Sequence, residues 1–335
     1  MTQVDFEPFR REDCWDRGVS VTEDDLIPEQ ALRRRLESVS GPWDVGASME
    51  WVEPWNAHPE RIFHVRVGGE TWLGLKTVSD YVLSDGIPGV FCSRVRWHNL
   101  LGRLESLRVS EQGVRVRARM ASRAEREAAF EGLSHLDEIV HPYPKMDGAG
   151  RETGSPPEGW FVNEDRADFL STGELHLRAY TAERFAGHWP KDQRIVAFDP
   201  ACSTGQFLAE FASAAQCAVT TVGQDLSAQM VSYAKPRLDS VHCGDARSPV
   251  CEPGTVDVVF ARFLNSEVVT SEEARLIAGP LARTLKPGGL FVAFGHTPVL
   301  IDQEDLGAHG LVMNQTIGRR GTDVFQYYIA TKESQ

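Results

Sequence analysis

Short apolar runs recur through the second half of the chain, and stretches with helical spacing separate them. The runs cover residues 194–198, 218–222, 256–260 and 290–294. Strands that are buried on both faces have apolar sequences of this kind, and parallel strands need a crossover between them, most often a helix. This alternation predicts an α/β domain in which helices cover both faces of a mostly parallel sheet.

The end of the chain departs from this alternation. Residues 310–331 contain two strand-like runs that meet at Gly318-Arg319-Arg320-Gly321, where the glycines favour a turn. We therefore expect an antiparallel hairpin at the edge of the sheet. The predicted fold is a doubly wound, mostly parallel, Rossmann-like sheet of seven strands with a C-terminal antiparallel hairpin.

The first half of the chain predicts a separate α+β domain. A short helix is expected over residues 28–39 and a longer amphipathic helix over residues 121–140. Two hairpins are expected between them, one turning at Gly68-Gly69 and the other at Glu111-Gln112-Gly113.

Residues 141–159 separate these two patterns. They hold four prolines and four glycines but almost no large apolar side chains, a composition typical of a linker or a surface loop. A loop of this length often acts as a lid. We predict an accessory domain in residues 1–140, a linker or lid in residues 141–159 and a second domain in residues 160–335.

Charge and composition limit the classes of partner. The net charge is −13, and residues 1–157 and 158–335 each carry more acidic than basic side chains, which argues against a nucleic-acid partner. No run approaches the roughly 18 apolar residues of a membrane helix, and no signal peptide is visible. The six cysteines form no C-x-x-C pair, and we predict no metal site. We expect a cytoplasmic protein that acts on a small molecule, and a homodimer formed through residues 1–140 is left open.

A loop of small residues follows the first predicted strand of the second domain. It reads Asp199-Pro200-Ala201-Cys202-Ser203-Thr204-Gly205-Gln206-Phe207 and opens a helix. Small residues let a backbone turn sharply and approach a ligand closely, and open α/β sheets bind ligands at the carboxyl ends of their strands. The G-x-G-x-x-G spacing of dinucleotide-binding loops is absent.

Three further segments follow this loop in order. Asp225 ends the second strand, 26 residues after Asp199, where a carboxylate can accept the hydroxyl protons of a ribose. His242-Cys243-Gly244-Asp245-Ala246 comes next, and the turn at residues 285–290 precedes the fifth strand. Together these segments resemble the class I methyltransferases that use S-adenosylmethionine (SAM), whose first motif is D/E-x-G-x-G-x-G. In this chain Ala201 and Ser203 replace two of the glycines.

The resemblance implies that SAM is bound, as methyl donor or as substrate. It implies that the loop after the first strand cradles the methionine part of SAM with Asp199 near the amino group, that Asp225 binds the ribose, and that Asp245 contacts the adenine amine. The complete set of expected SAM contacts is Asp199, Ala201, Ser203, Gly205, Asp225, Leu226, Asp245, Ala246, Arg262 and Phe263.

The expected reaction is methyl transfer to a small molecule of specialised metabolism. The segment after the fourth strand, residues 261–266, lacks the N/D-P-P-Y/F tetrapeptide of methylases that act on nucleic-acid amines. Tyr180 and Phe263 are candidates to hold the sulfonium cation against an aromatic face. His296, directly after the fifth strand, is a candidate general base.

Two alternatives stay open. The substituted first motif and the long N-terminal extension also resemble azetidine-2-carboxylic acid synthases, in which the α-amine of SAM attacks its own γ-carbon and methylthioadenosine leaves. That reaction would draw on Asp199, Tyr180, Ser203 and Asn265, of which Tyr180 and Asn265 join His296 as the catalytic candidates. The second alternative is a SAM-binding sensor without catalysis, which only a turnover measurement distinguishes from an enzyme.

Overall fold

The computed structural model describes residues 44–53, 62–76, 94–142, 151–152, 154–161, 174–266 and 268–333. The chain divides into two compact units, the first ending at Tyr143 and the second beginning at Pro144. The helix predicted over residues 28–39 lies outside the described residues, as does part of the segment predicted to be a linker.

The first unit contains, within its described residues, a six-stranded antiparallel sheet in the order β1-β5-β4-β3-β2-β6. Both predicted hairpins are present, β2 with β3 and β4 with β5. The strands are β1 (Ser48–Glu53), β2 (Ile62–Val67), β3 (Glu70–Leu75), β4 (Leu100–Ser110), β5 (Gly113–Met120) and β6 (Ile139–Val140).

Strand β5 shows why this sheet forms. Val114, Val116 and Ala118 are buried in the core of the unit, whereas the arginines between them are exposed. This period of two places every second side chain on the apolar face of the sheet. On the other face Arg117 pairs with Glu105 of β4 at 2.8 Å, which balances charge across neighbouring strands.

The helix predicted over residues 121–140 is wrong in its second half. Helix α1 covers only Arg123–Glu131 and begins with a capping box between Ser122 and Glu125. The chain then turns, because the Asp137 carboxylate accepts the backbone N–H of Ser134 at 2.7 Å. Local side-chain hydrogen bonds of this kind compete with helix formation.

The second unit is an α/β domain, which confirms that part of the predicted fold class. Its described residues form a seven-stranded sheet in the order β12-β13-β11-β10-β7-β8-β9, in which the five strands from β11 to β9 are parallel and β13 runs antiparallel to both of its neighbours. The strands are β7 (Arg194–Asp199), β8 (Ala218–Asp225), β9 (Ser240–Cys243), β10 (Val256–Ala261), β11 (Leu285–Phe294), β12 (Leu311–Arg320) and β13 (Asp323–Lys332).

Helices cover both faces of this sheet. Ile195, Ala197 and Phe260 belong to a core with one set of helices, whereas Phe198 and Val259 belong to a core on the opposite face. Alternate residues of each central strand therefore contribute to different cores. The helices are α2 (Leu175–Phe185), α3 (Gln206–Ala214), α4 (Ala228–Ala234), α5 (Ser271–Thr284) and α6 (Gln303–Gly307).

Two turns differ from their predicted positions. The hairpin of β12 and β13 turns at Gly321 and Thr322, so residues 318–320 belong to β12. Residues 285–289, predicted as a turn before the fifth strand, are part of β11, but the pairing with β10 jumps there from Leu285 to Leu290. Among the described residues, no helix is both long and apolar enough to cross a membrane.

Candidate functional site

The loop that follows β7 is attached closely to the end of β8. The Cys202 N–H donates to the Gln224 carbonyl at 2.8 Å, and the two segments approach so closely that a Cβ on Gly223 would lie 2.8 Å from the Cys202 Sγ. Ser203 adopts φ of +50° and Gly205 φ of +76°. A left-handed conformation costs a serine about 1 kcal/mol or more and is found preferentially at ligand-binding positions.

Asp225, at the carboxyl end of β8, holds this loop in place. Its Oδ2 accepts the Ser203 N–H at 2.8 Å, and its Oδ1 accepts the Ser227 N–H at 2.9 Å. A carboxylate offers about four acceptor positions, so two remain for the hydroxyl groups of a ligand. Burial raises the pKa of Asp225 to about 6, although the two backbone hydrogen bonds oppose this shift.

Arg262, which follows β10, is held between two carboxylates. Its Nε donates to Asp199 Oδ2 at 2.8 Å, and its Nη1 donates to Glu174 Oε2 at 2.5 Å. Its guanidinium also lies over the Phe207 ring, with Cζ 4.5 Å from the ring centroid. Burial alone would lower the pKa of Arg262, but the charges of Asp199 and Glu174 outweigh it and raise that pKa.

Asp199 is fully buried in this arrangement. Its second oxygen, Oδ1, accepts the Ala201 N–H at 3.1 Å, and its burial raises the pKa of the carboxyl group against the opposing effect of Arg262. The carboxylate thus orients both the loop and Arg262. Direct contact between Asp199 and the amino group of SAM stays a prediction.

The balance of charge at this edge of the sheet is negative. Asp199, Asp225 and Glu174 provide three carboxylates, and two cations oppose them: Arg262, and Arg178, whose charge interacts with Glu174 and Arg262. Charges in a poorly solvated site attract ions of opposite sign more strongly than they would in water. The arrangement therefore favours a ligand with a positive charge, such as a sulfonium or an ammonium group.

Gln224, beside Asp225 at the end of β8, supports a second loop, which follows β9. The Gln224 side chain donates from Nε2 to the carbonyls of Asp245 and Ser248 at 2.8 and 3.2 Å, and its Oε1 accepts the Val250 N–H at 2.8 Å. Gln224 is almost fully buried and so fixes the backbone of residues 245–250. Beside it, Leu226 is 42% exposed, an apolar surface that suits the face of a purine.

Asp245, the predicted adenine contact, and Ala246, another predicted SAM contact, are both engaged within the protein. The Asp245 carboxylate is already engaged by Arg247, through its backbone N–H at 2.8 Å and its Nε at 2.9 Å. Ala246 is buried in the core that also contains Phe263. An adenine amine could therefore bind Asp245 only at an acceptor position that Arg247 leaves open. The contact of Asp245 with adenine stays a prediction.

Tyr180 lies against the C-terminal hairpin. Its hydroxyl accepts from Gln315 Nε2 at 2.8 Å, and its ring packs edge-on against Phe325 and Tyr327, with centroids 5.2 and 4.8 Å apart. Burial raises the pKa of the Tyr180 hydroxyl. These contacts suit a residue that packs helix α2 onto β12 and β13, and a role beside the sulfonium stays a prediction.

Asn265 links two loops at the carboxyl ends of β10 and β11. The side-chain amide has one orientation in which both its nitrogen and its oxygen have hydrogen-bond partners. In that orientation the nitrogen donates to the carbonyls of Arg262 and Phe263, each at 3.1 Å, and the oxygen accepts from the Thr297 hydroxyl. The side chain is 4% exposed, so it positions the segment that carries Arg262. His296, on the second of these loops, is half-buried, and its role as a base stays a prediction.

Two residues of the site are absent from the sequence predictions. Glu174 precedes α2 and is 88 residues from Arg262 in the chain, so no local pattern connects them. Gln224 could have been noticed, because a buried polar residue just before the end of an apolar strand needs several hydrogen-bond partners. Within the described residues, no group of three or more His, Cys, Asp or Glu side chains is arranged to hold a metal ion.

The order of these features along the chain matches a known family. Residues 197–289, which run from β7 into the first half of β11, match the family described as "Methyltransferase domain". The second unit is thus a domain of the class I SAM-dependent methyltransferase superfamily, and SAM is its cofactor or substrate.

The similarity extends beyond this domain to a particular enzyme family. The chain is 34% identical over 282 residues to isonocardicin synthase from Nocardia uniformis subsp. tsuyamanensis, an alignment that covers 82% of this chain and 92% of that protein. The chain belongs to the isonocardicin synthase family.

Solved structures also resemble the chain, at lower similarity. A SAM-dependent methyltransferase from Aquifex aeolicus is 17% identical with a TM-score of 0.39, covering 51% of this chain and 99% of that one. DesVI from Streptomyces venezuelae is 18% identical with a TM-score of 0.38, covering 52% of this chain and 100% of that one. Likenesses of this size carry no information about the reaction.

Proposed function

We propose that this protein is a transferase that moves a carbon group from the sulfonium of SAM to a small molecule, with methyl transfer as the primary candidate. The observation that carries the proposal is Asp225. This partly buried carboxylate ends β8 and is oriented by two backbone N–H groups, and its remaining acceptor positions would take the two ribose hydroxyls.

Each neighbouring residue has a role in this proposal. The loop from Asp199 to Gly205 would hold the methionine part, with its left-handed Ser203 kept in place by Asp225. Arg262 would orient that end of the ligand, since Asp199 and Glu174 hold its guanidinium still. Leu226 would lie against the adenine, over a backbone that Gln224 supports.

The chemistry is an in-line displacement at carbon. A nucleophilic atom forms a bond to one carbon of the sulfonium, the carbon–sulfur bond breaks, and sulfur keeps the electron pair as a neutral thioether. Most of the protein's contribution to such a step is positioning and the exclusion of water. Because the sulfonium loses its charge, the acidic site that favours it also favours release of the neutral product.

A second candidate differs only in the carbon that is attacked. Attack at the γ-carbon would move the larger amino-acid arm of SAM and release methylthioadenosine, with either the α-amine of SAM or a separate molecule as nucleophile. The name of isonocardicin synthase refers to making a compound rather than to methylation, and this supports keeping the second candidate. It also supports a small molecule of specialised metabolism as the product.

The experiment that tests the proposal is product analysis by mass spectrometry. The purified protein is incubated with SAM alone and with SAM plus a small-molecule extract, and the nucleosides are resolved. S-adenosylhomocysteine that forms only with extract indicates methyl transfer. Methylthioadenosine that forms only with extract indicates transfer of the larger arm, and methylthioadenosine from SAM alone indicates cyclisation.

The matched control is the Asp239→Asn variant. Asp239 also accepts a backbone N–H of β8, that of Thr221 at 2.8 Å. It directly precedes β9 and so lies away from the carboxyl ends of the strands. At a limiting SAM concentration, product formation that falls severalfold in Asp225→Asn and is unchanged in Asp239→Asn supports the proposal. Bound SAM that is never converted under any condition would instead support a sensor without catalysis.

A small-molecule acceptor, a cytoplasmic location and a homodimer through residues 1–140 are further parts of this proposal.

A further inference from the structure

A cavity of about 220 Å³ lies between α2 and α3 in the second unit. Its walls are mostly apolar and include Leu175, Phe207 and Phe211, with Arg178 and Glu210 as charged residues. None of the residues predicted to contact SAM lines it. Arg178 nevertheless interacts electrostatically with Glu174 and Arg262, so the cavity lies beside the site at the strand ends.

Arg178 is the unusual member of this lining. Its side chain is 4% exposed, and none of its three nitrogens has a hydrogen-bond partner among the residues that the structure describes. The Nε lies 3.0 Å from Glu210 Oε2, an ion pair without an aligned hydrogen bond. Burial lowers the pKa of Arg178, Glu210 and Glu174 oppose this shift, and Arg262 adds to it. A buried guanidinium with unused donors is costly, and such groups are normally paired.

The chemistry of the cavity indicates one class of ligand. The two terminal nitrogens of a guanidinium match the two oxygens of a carboxylate in a bidentate pair. The apolar side chains around Arg178 exclude water and would contact a hydrocarbon or aromatic body. Glu210 is half exposed, so its charge is partly screened by solvent and compensates Arg178 incompletely.

We propose that this cavity is a binding site for the carboxylate group of a small apolar acid, with Arg178 as the residue that binds the carboxylate. The proposed function gives Arg178 no role, and this inference rests on that function only if the bound carboxylate is that of SAM, which the last pair of probes below decides. Phe207 connects the two places, because its ring lies against Arg262 at the strand ends and the residue also lines the cavity.

The first test uses benzoate as the carboxylate probe and benzamide as its neutral counterpart. Calorimetric titration of the full-length protein should show benzoate binding at least tenfold more tightly than benzamide. Arg178→Met keeps the volume of the side chain and removes the charge, and it should abolish this difference. Arg184→Met, an exposed position on the same helix, is the control and should leave it unchanged. Equal binding of benzoate and benzamide by the unmodified protein would overturn the proposal.

The Glu210→Gln variant tests the same site in the opposite direction. Removing the carboxylate next to Arg178 should tighten benzoate binding threefold or more. Because Glu210 is half exposed, this variant is expected to fold, and it keeps the test valid if Arg178→Met does not fold. Unchanged or weaker benzoate binding by Glu210→Gln would contradict the proposal.

A second pair of probes identifies the source of the carboxylate. SAM and decarboxylated SAM are titrated into the unmodified protein and into Arg178→Met. If the site takes the carboxylate of SAM itself, Arg178→Met weakens SAM about tenfold and leaves decarboxylated SAM unchanged. If the site takes a separate acid, both nucleosides bind as before while benzoate binding is lost. Arg178→Met that binds benzoate and SAM as the unmodified protein does would show that Arg178 binds no carboxylate.

Discussion

Arg262 Nε and Asp199 Oδ2 lie 2.8 Å apart, and this ion pair joins the carboxyl ends of β10 and β7. Both side chains are almost completely buried, at 9% and 0% exposure. The same guanidinium reaches Glu174 at the start of α2. Three segments that are distant in the chain are thus held together at the place where the ligand is proposed to bind.

Breaking this pair from one side should strongly destabilise the domain. Arg262→Met leaves Asp199 buried without its partner, and a buried pair broken in this way typically costs 3–5 kcal/mol. Urea denaturation should show a loss of about this size. Arg275→Met, which removes an exposed pair with Asp305 at 57% and 23% exposure, should cost less than about 1 kcal/mol.

The double variant Asp199→Asn/Arg262→Met tests whether the cost arises from the unpaired charge. It should be less destabilised than the sum of its two single variants, because neither Asp199 nor Arg262 then remains as the unpaired half of this ion pair. Glu174 loses Arg262 in the single and the double variant alike. Simple additivity of the three free energies of unfolding would mean that the pair contributes no specific coupling.

Tyr180→Phe separates a packing role from a catalytic one. The substitution removes the hydrogen bond with Gln315 and keeps the ring contacts with Phe325 and Tyr327. We expect about 1 kcal/mol of lost stability and unchanged kcat for SAM consumption. A fall in kcat of a hundredfold or more with stability intact would instead place the Tyr180 hydroxyl in the reaction.

Gln224→Leu should weaken SAM binding from a distance. The change removes three hydrogen bonds to the backbone of residues 245–250 and leaves buried polar groups unpaired, at a cost of about 1–3 kcal/mol in stability. The loosened loop should raise the dissociation constant of SAM severalfold, measured by calorimetry at a temperature where the variant is folded. Identical affinity for SAM would show that this loop does not form part of the site.

The pKa of Asp225 predicts a dependence of both affinity and stability on pH. Burial is the main reason that this pKa rises from 3.8 to about 6. The charge of Asp199 adds to the rise, whereas the charge of Arg262 opposes it. Since the ionised carboxylate is the form that accepts two ribose hydroxyls, SAM should bind more tightly as the pH rises from 5 to 7, with a midpoint near 6. Asp225→Asn should remove this dependence, and a pH profile that the variant shares with the unmodified protein would assign it to another group.

Stability of the free protein should change in the opposite direction. A carboxyl group whose pKa is raised by folding stabilises the fold fully below its unfolded pKa, near 4, and loses that contribution as the pH rises through 6. A shift of about 2 units corresponds to about 3 kcal/mol. The difference in unfolding free energy between the unmodified protein and Asp225→Asn should change by this order between pH 4 and pH 7 in urea titrations, and a constant difference would contradict the raised pKa.

The sequence predicts the parts of this fold that depend on repeated local patterns. The apolar runs at residues 194–198 and 256–260 correspond to β7 and β10, because strands buried on both faces must be apolar throughout. The helix expected up to residue 140 ends at Glu131 instead. Its amphipathic pattern continues, but Ser134 and Asp137 close a turn through a backbone hydrogen bond and local side-chain hydrogen bonds.

The sequence predicts the candidate residues that lie at strand ends, but it does not predict those whose role comes from an ion pair with a distant segment. Asp225 and the loop from Asp199 follow directly from the order of strand, loop and helix. Glu174 and Arg178 acquire their roles only when α2 packs beside the strand ends and α3. Such contacts between distant segments leave no periodic signal in one sequence.

Calorimetric titration of SAM into the unmodified protein, Asp225→Asn and Asp239→Asn tests the central claim most directly. The account predicts that SAM binds, that Asp225→Asn raises the dissociation constant about tenfold, which corresponds to about 1.4 kcal/mol, and that Asp239→Asn leaves it unchanged. Equal affinity of all three proteins for SAM, or no binding by the unmodified protein, would contradict a SAM site built around Asp225.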